Sequence, residues 1–233
     1  MITMEKEEKQ SCTLCGNDSA VFFIQGKTHG QLREYWKCER CDCIFVPEQF
    51  HLSEKHEVER YEEHNNEDAA EYRQYLQRMV EPVIDLLRTT EGSNIWQIID
   101  YGAGPVPVLQ RMMKEEGYQV EITDKYFSDE ETPNSRYDLV ISTEVVEHFR
   151  KPNTDWGNLL FLVKPGGYVA VMTQLWQPRL GQTKEDFLRW HYRGDPTHII
   201  FYAEPTIEYI AEAFDLSIVF FNKKNGTVIF QKA

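Results

Sequence analysis

Long apolar runs are missing. No stretch of the 233 residues approaches the roughly 20 that a membrane-crossing helix needs, so no membrane partner is expected. Positive charge is scarce. Lys and Arg number 25 against 38 Asp and Glu, a net charge of −13. Such a surface repels phosphate backbones. It disfavours broad nucleic-acid binding and leaves only a local patch open to it. Cysteine is sparse too: five residues fit a reducing cytoplasm better than a disulfide framework. Met1 to Gln10 lack an apolar core and read as a frayed, charged tail, not a signal peptide. Neither internal repeats nor low-complexity tracts occur. What remains is 41% apolar, enough for a real core, in a length that suits one large domain or a domain with an appendage.

The stretch Ile98-Ile99-Asp100-Tyr101-Gly102-Ala103-Gly104-Pro105 organises the chain. An apolar run, Ile95 to Ile99, ends in an acid and two alternating glycines. Val108, Leu109, Met112 and Met113 then recur at helical spacing. Strand, glycine turn and helix open a nucleotide-binding βαβ unit. The glycines let the backbone curl back and approach a ligand without a Cβ in the way. The dinucleotide fingerprint GxGxxG fails, because Pro107 takes the third glycine position.

Upstream, Cys12-Thr13-Leu14-Cys15-Gly16 and Cys38-Glu39-Arg40-Cys41 form two C-x2-C pairs, 22 residues apart. Each pair can place two thiolates on one side of a tight turn, and two facing turns make a tetrahedral S4 site. Short strands are expected at Val21 to Ile24, Tyr35 to Lys37 and Ile44 to Val46. The pattern is that of a zinc ribbon over residues 1–50, with Cys12, Cys15, Cys38 and Cys41 as ligands. Cys43 is a spare thiol or a substitute for Cys41. Four cysteines leave no open coordination position, so the zinc would be structural.

Residues 53–90 read as helix, within a helical linker and cap at 51–92. Ser53 or Asn65-Asn66 caps a start. Tyr72, Tyr75, Leu76, Met79, Val83, Leu86 and Leu87 follow a helical pattern, which Pro82 should kink or restart. Arg60, Tyr61 and His64 either pack or close over a pocket. Gly92-Ser93-Asn94 breaks the chain before the glycine strand. Beyond it, Gly117 stops the next helix. Tyr118 to Ile122 form a second strand, and Asp124 follows it, 24 residues after Asp100. An acid there stands beside the glycine turn and can accept from both hydroxyls of a ribose.

Only about a dozen residues then precede the strand Tyr137 to Ser142, too few for a crossover helix and another strand. The usual third strand is therefore missing or vestigial, and Tyr126 and Phe127 become the platform for an adenine ring. Thr143-Glu144-Val145-Val146-Glu147-His148 lie at the carboxyl end of a buried strand, where open α/β sheets bind ligands. A helix over Pro152 to Val163, a sharp turn at Lys164-Pro165-Gly166-Gly167 and a strand at Tyr168 to Met172 follow. Residues 174–202 form an insertion rich in Trp, Tyr, His and Arg, including Trp176, Arg179, Phe187, Trp190, Tyr192 and Phe201. A small-ligand pocket and an ordinary core both want such residues. A helix at Thr206 to Phe214 and a hairpin, Leu216 to Phe221 and Thr227 to Phe230, close the chain across Asn225-Gly226.

Taken in order, Asp100-x-Gly102-x-Gly104, Asp124, Tyr137-Asp138-Leu139-Val140, Glu144-Val145-Val146-Glu147-His148 and Lys164-Pro165-Gly166-Gly167 resemble the motif series of class I S-adenosylmethionine-dependent methyltransferases. The likeness covers roughly residues 67–233 and includes the terminal antiparallel hairpin. The chain also resembles a bacterial group with an amino-terminal zinc ribbon and the block Trp190-x-Tyr192-Arg193-x-Asp195-Pro196-Thr197-His198. This resemblance implies a three-layer, Rossmann-like α/β sheet over residues 93–233. It implies that S-adenosylmethionine lies against Gly102 and Gly104, with Tyr101 between β-strand and turn. Asp100 would help hold the amino group, Asp124 the ribose, and Thr143 and Glu144 would line the sulfonium side. Val106 departs from the family where many members carry a third glycine.

The implied reaction moves an activated methyl group to oxygen or nitrogen of a small-molecule acceptor. Alignment and exclusion of water matter most. His198 and His148 are the candidate bases, and Asp195 would orient His198 or hold a substrate amine. Two rivals stay open at this point. One is an RNA or protein methyltransferase that reads its substrate with the ribbon; the other is a non-catalytic module that kept the fold.

Overall fold

The computed structural model describes residues 9–63, 68–90, 96–128, 135–177 and 183–233. The expected cap at Asn65-Asn66, the break at Gly92 to Asn94, His64 and Arg179 lie outside them.

The main sheet holds β5 (Ile98–Tyr101), β6 (Val120–Thr123), β7 (Tyr137–Thr143), β8 (Val163–Met172), β10 (Leu216–Asn222) and β11 (Thr227–Lys232). Its spatial order is β10-β11-β8-β7-β5-β6. The four strands from β8 to β6 run parallel, and β11 and β10 close the sheet antiparallel. Alternation along each strand sends side chains to opposite faces. Ile98, Leu139, Ile141, Ala170 and Met172 pack against α2 (Ala70–Thr89) and α3 (Val108–Glu115). Ile99, Val140, Val169, Val171 and Phe230 pack with α4 (Pro152–Phe161) and α6 (Glu204–Ala213) on the other face. Both faces of the parallel strands are therefore buried, as the near-continuous apolar runs of β5, β7 and β8 require. The layers are three, as expected. Among the described residues no strand lies outboard of β6, which agrees with the missing third strand.

Of the two outcomes weighed for Pro82, a kink or a restart, the restart does not occur: α2 runs through it as one helix. Proline removes the N–H that would reach the Arg78 carbonyl. The hydroxyl of Thr227 on β11 donates to that carbonyl instead, at 3.2 Å. Lys164 to Gly167 do not form a free turn. They lie within β8 as a bulge: Tyr137 pairs with Val163, and Leu139 already pairs with Tyr168. Gly166 takes φ +75°, and a Cβ on Gly167 would sit 3.0 Å from the Asp138 carbonyl oxygen.

A second sheet contains β1 (Lys9–Gln10), β2 (Ala20–Thr28), β3 (Gln31–Cys38), β4 (Ile44–Phe45) and β9 (Ile200–Phe201), in that order. Strand β9 comes from the insertion and pairs antiparallel with β4, Ile44 opposite Phe201 and Phe45 opposite Ile200. The insertion's aromatics follow it. Trp176, Phe187 and Phe201 are buried with Tyr35, Ile44 and Val46 of the ribbon. Of the two readings left open for the insertion, core fits most of these rings: they fill the space between insertion and ribbon. The insertion also carries α5 (Lys184–Arg189), while α1 (Glu54–Glu63) lies between ribbon and α2.

Candidate active site

The glycine turn is pinned to the end of β6. Gly102 and Ala103 donate N–H to the Thr123 carbonyl at 2.8 and 3.2 Å, and Gly104 donates to Asp124 Oδ2 at 2.9 Å. Asp124 Oδ1 accepts from the amides of Tyr126 at 2.8 Å and Phe127 at 3.1 Å. Three amides thus fix the carboxylate and take much of its acceptor capacity. Gly102 has φ +82°, and a Cβ there would come within 2.4 Å of Val145 Cγ2. Gly104 has φ +67° and faces open space. Only glycine gives both conformation and clearance at Gly102.

A cavity of about 1000 Å³ opens above this turn. Its volume suits a drug-sized ligand together with a second small molecule. Tyr101, Gly102, Gly104, Asp124, Tyr126 and Phe127 line one part. Thr143, Glu144, His148, Asp195 and His198 line another. Of the expected pocket residues, only Asp100 stays out of the lining. It is buried beneath the turn, 3% exposed. Burial, then the charge of Asp124, pushes its carboxyl up to about 7. Glu144 is left-handed at φ 55°, a strained backbone of the kind that gathers at functional sites. Its Oε1 is sealed from solvent and unpartnered, as is Thr143 Oγ1. Burial pushes the Glu144 carboxyl up to about 7, against the hydroxyls of Tyr75 and Tyr192. An unpartnered carboxylate oxygen of Glu144 thus lies in the cavity wall, and a positively charged ligand would relieve it.

The two candidate bases meet. The rings of His148 and His198 lie with centroids 4.8 Å apart. Nδ1 of His148 bonds the Thr197 carbonyl at 3.0 Å, and Nδ1 of His198 bonds the Tyr192 carbonyl at 2.7 Å. A carbonyl accepts only, so each Nδ1 carries the proton and each neutral ring keeps its lone pair on Nε2. Beneath them Glu147 is fully buried. Tyr192 Oη donates to Glu147 Oε1 in a short hydrogen bond, while Oε2 has no partner. Asp195 lines the cavity beside them. Its Oδ1 accepts from the amide and hydroxyl of Thr197 at 2.9 and 2.6 Å, and its Oδ2 receives Arg60.

Helix α1 lies across the cavity, with Arg60 and Tyr61 in the lining. Glu57, 3% exposed, fastens it: Arg150 Nη2 reaches Glu57 Oε1 at 2.8 Å, and Tyr126 Oη donates to Oε2 at 2.8 Å. Arg60 and Tyr61, for which packing and cover were both weighed, line the cavity. Sequence reasoning gave no role to Glu57, Arg150, Tyr192 or Glu147. The Glu147-His148 pair inside the strand-end motif was a usable signal; Glu57, one of many acids on a charged helix, carried none.

The cysteine pairs also meet. The thiol sulfurs of Cys12, Cys15, Cys38 and Cys41 all lie within 4.8 Å of one another, with Cys12–Cys41 at 3.6 Å and Cys15–Cys38 at 3.5 Å. Sulfurs bound tetrahedrally at about 2.3 Å from zinc would stand about 3.8 Å apart. The donor set fits the metal. Cys43 packs against two of them, 3.4 Å from Cys12 and 3.5 Å from Cys41.

Over residues 60–219 the chain matches the family described as methyltransferase domain. No curated protein matches it in sequence. Among solved structures it is similar to an O-methyltransferase family protein from Burkholderia thailandensis, at 15% identity, over 76% of this chain and 62% of that one, TM-score 0.50. A second is a methyltransferase from Thermotoga maritima described as a possible histamine N-methyltransferase, at 9% identity, over 75% of this chain and 98% of that one, TM-score 0.47. Human N-acetylserotonin methyltransferase in complex with S-adenosylmethionine is a third, at 14% identity, over 68% and 52%, TM-score 0.48. At these identities the likeness is one of fold. With the glycine turn, the strand order and the terminal hairpin already described, the family match identifies the chain: it belongs to the methyltransferase-domain family and is a class I S-adenosylmethionine-dependent methyltransferase.

Proposed function

We propose that this enzyme methylates oxygen or nitrogen of a small-molecule acceptor. S-adenosylmethionine bound in the cavity supplies a methyl group already activated by a sulfonium. The backbone at Gly102 and Gly104 gives its methionyl part room, and the buried Asp100 beneath them favours its ammonium. Asp124 holds the ribose with the acceptor capacity that the three amides leave. Tyr126 and Phe127 flank the adenine, and Thr143 and Glu144 line the sulfonium side. His198 and His148, with lone pairs on Nε2, take the proton that a hydroxyl or ammonium acceptor must lose. Asp195 positions the Thr197-His198 segment. Arg60 and Tyr61 cover the cavity and exclude water.

One observation carries this reading: the glycine turn, Asp124 and the two histidines open on a single cavity of about 1000 Å³. Cys12, Cys15, Cys38 and Cys41 hold a structural zinc beside it, in a reducing compartment such as the cytoplasm. Calorimetry with S-adenosylmethionine tests the cofactor: binding is expected for the native chain and strongly weakened in Asp124→Ala. Transfer of labelled methyl from the cofactor into fractionated small metabolites tests the acceptor. Label that enters only RNA or protein would overturn the small-molecule assignment.

A further inference from the structure

A carboxylate oxygen of Glu147 and one ring nitrogen each from His148 and His198 lie within 4.8 Å of one another. Three features make this more than a chance meeting. Both rings commit Nδ1–H to backbone carbonyls, which turns the Nε2 lone pairs toward ligation; metal-binding histidines are held this way by their outer partners. His148 Nε2 stands 4.0 Å from Glu147 Oε1, too far for a hydrogen bond between them and near enough for a shared ligand. Glu147 Oε2 is a sealed, unpartnered carboxylate oxygen in a fully buried residue. A fully buried carboxylate with one unpartnered oxygen, within 4.8 Å of a nitrogen from each of two imidazoles, is a donor set that suits a cation.

We propose that Glu147, His148 and His198 bind a divalent first-row transition ion at the acceptor end of the cavity. Two imidazoles and a carboxylate suit Mn²⁺, Fe²⁺, Co²⁺ or Zn²⁺. The all-oxygen preference of Ca²⁺ and the thiolate preference of Cu⁺ fit the set poorly. The rings of Tyr61 and Tyr192 stand against the two histidines, with centroids at 5.3 and 4.2 Å, and keep them from turning away. Three protein ligands leave positions open. His148 and His198 both line the cavity, so those positions face the space where an acceptor sits. With their Nε2 lone pairs given to the ion, the histidines would act through it in place of taking the proton themselves: an acceptor hydroxyl there would be held and made more acidic by the ion and would lose its proton to solvent. The substrate class is then one that offers an oxygen ligand, such as a hydroxyl beside a second oxygen, in preference to an isolated amine. Glu144, whose Oε1 also lacks a partner, lines the same cavity.

The substrate class rests on the proposed function; the ion site itself does not. Metal binding is read without methyl transfer, so the two can fail separately. The experiment begins with the full chain, stripped of metal and given one equivalent of Zn²⁺ to fill the thiolate set, which outcompetes Mn²⁺ for soft ligands. Mn²⁺ is then titrated and followed by electron paramagnetic resonance, and total zinc capacity is measured in parallel. One bound Mn²⁺ per chain, or a second zinc, is expected. Either is expected to weaken at least tenfold in His148→Ala and His198→Ala, whose folding is checked by thermal melting and S-adenosylmethionine calorimetry. Glu147→Gln, which keeps the shape and removes the charge, supplies the comparison if an alanine variant does not fold. Free Mn²⁺ throughout with zinc saturating at one equivalent overturns the proposal. So does a second ion retained unchanged in the folded variants.

Discussion

Arg60 on α1 holds Asp195 of the insertion through two nitrogens, Nη2 at 2.9 Å and Nε at 3.2 Å from the same oxygen. The pair joins the covering helix to the loop that carries His198. Partly exposed ion pairs contribute little to stability, about 0.2–1 kcal/mol. Arg60→Ala is therefore expected to lower the melting temperature by no more than about 2–4 °C. It should raise the KM for the acceptor several-fold, because cover and loop lose register. Steady-state kinetics beside a thermal melt checks both, and an unchanged KM would count against a covering role.

Gly102→Ala meets two penalties at once: φ +82° and a Cβ 2.4 Å from Val145 Cγ2. The left-handed backbone alone costs about 1–2 kcal/mol. The remainder pushes Val145 and the strained Glu144 beside it. Calorimetry is expected to show S-adenosylmethionine binding at least tenfold weaker, while Gly117→Ala, far from the cavity, leaves it unchanged.

Asp100 gives a pH signature. Its carboxyl titrates near 4 in an unfolded chain and at about 7 when folded. The folded form thus holds the extra proton between these values, and stability falls as pH rises through that window. One such group gives a slope of about 1.4 kcal/mol per pH unit there. Glu144, also raised to about 7, adds a slope of the same sign. Asp100→Asn should flatten the decline between pH 4 and 7 in denaturant titrations without removing it. A decline as steep as the native chain's would refute the assignment.

Thr227→Val removes the hydroxyl that donates to the Arg78 carbonyl and should cost about 1–3 kcal/mol. Pro82→Ala restores an N–H that can reach the same carbonyl. In the double variant the cost of losing Thr227 should largely vanish, and a double-mutant cycle by chemical denaturation reads that coupling.

Cys38→Ser should bind one zinc fewer per chain by metal analysis and melt at lower temperature, since a closed thiolate set contributes directly to folding. Zinc content unchanged from the native chain would exclude the four-cysteine site.

Much of this molecule was legible in order along the chain. The glycine turn, Asp124, the short span before β7 and the paired cysteines are local spacings, and local geometry follows from them. What was not legible depends on distant segments. The meeting of His148 with His198 needs the insertion to fold back on the strand-end motif. The fate of Trp176 and Phe187 hangs on a ribbon strand that lies far upstream. Pro82 starts no new helix because its missing donor is replaced from β11. Lys164 to Gly167 misled because a bulge and a turn want the same residues.

The antiparallel pairing of β4 with β9 ties the cysteine ribbon to a strand that begins two residues after His198. If the cysteines hold zinc and His198 serves as the base, a chelator would slow methyl transfer without entering the cavity, by freeing an edge two residues from that imidazole. Grafting the Rossmann half onto another scaffold would discard part of its own chamber wall.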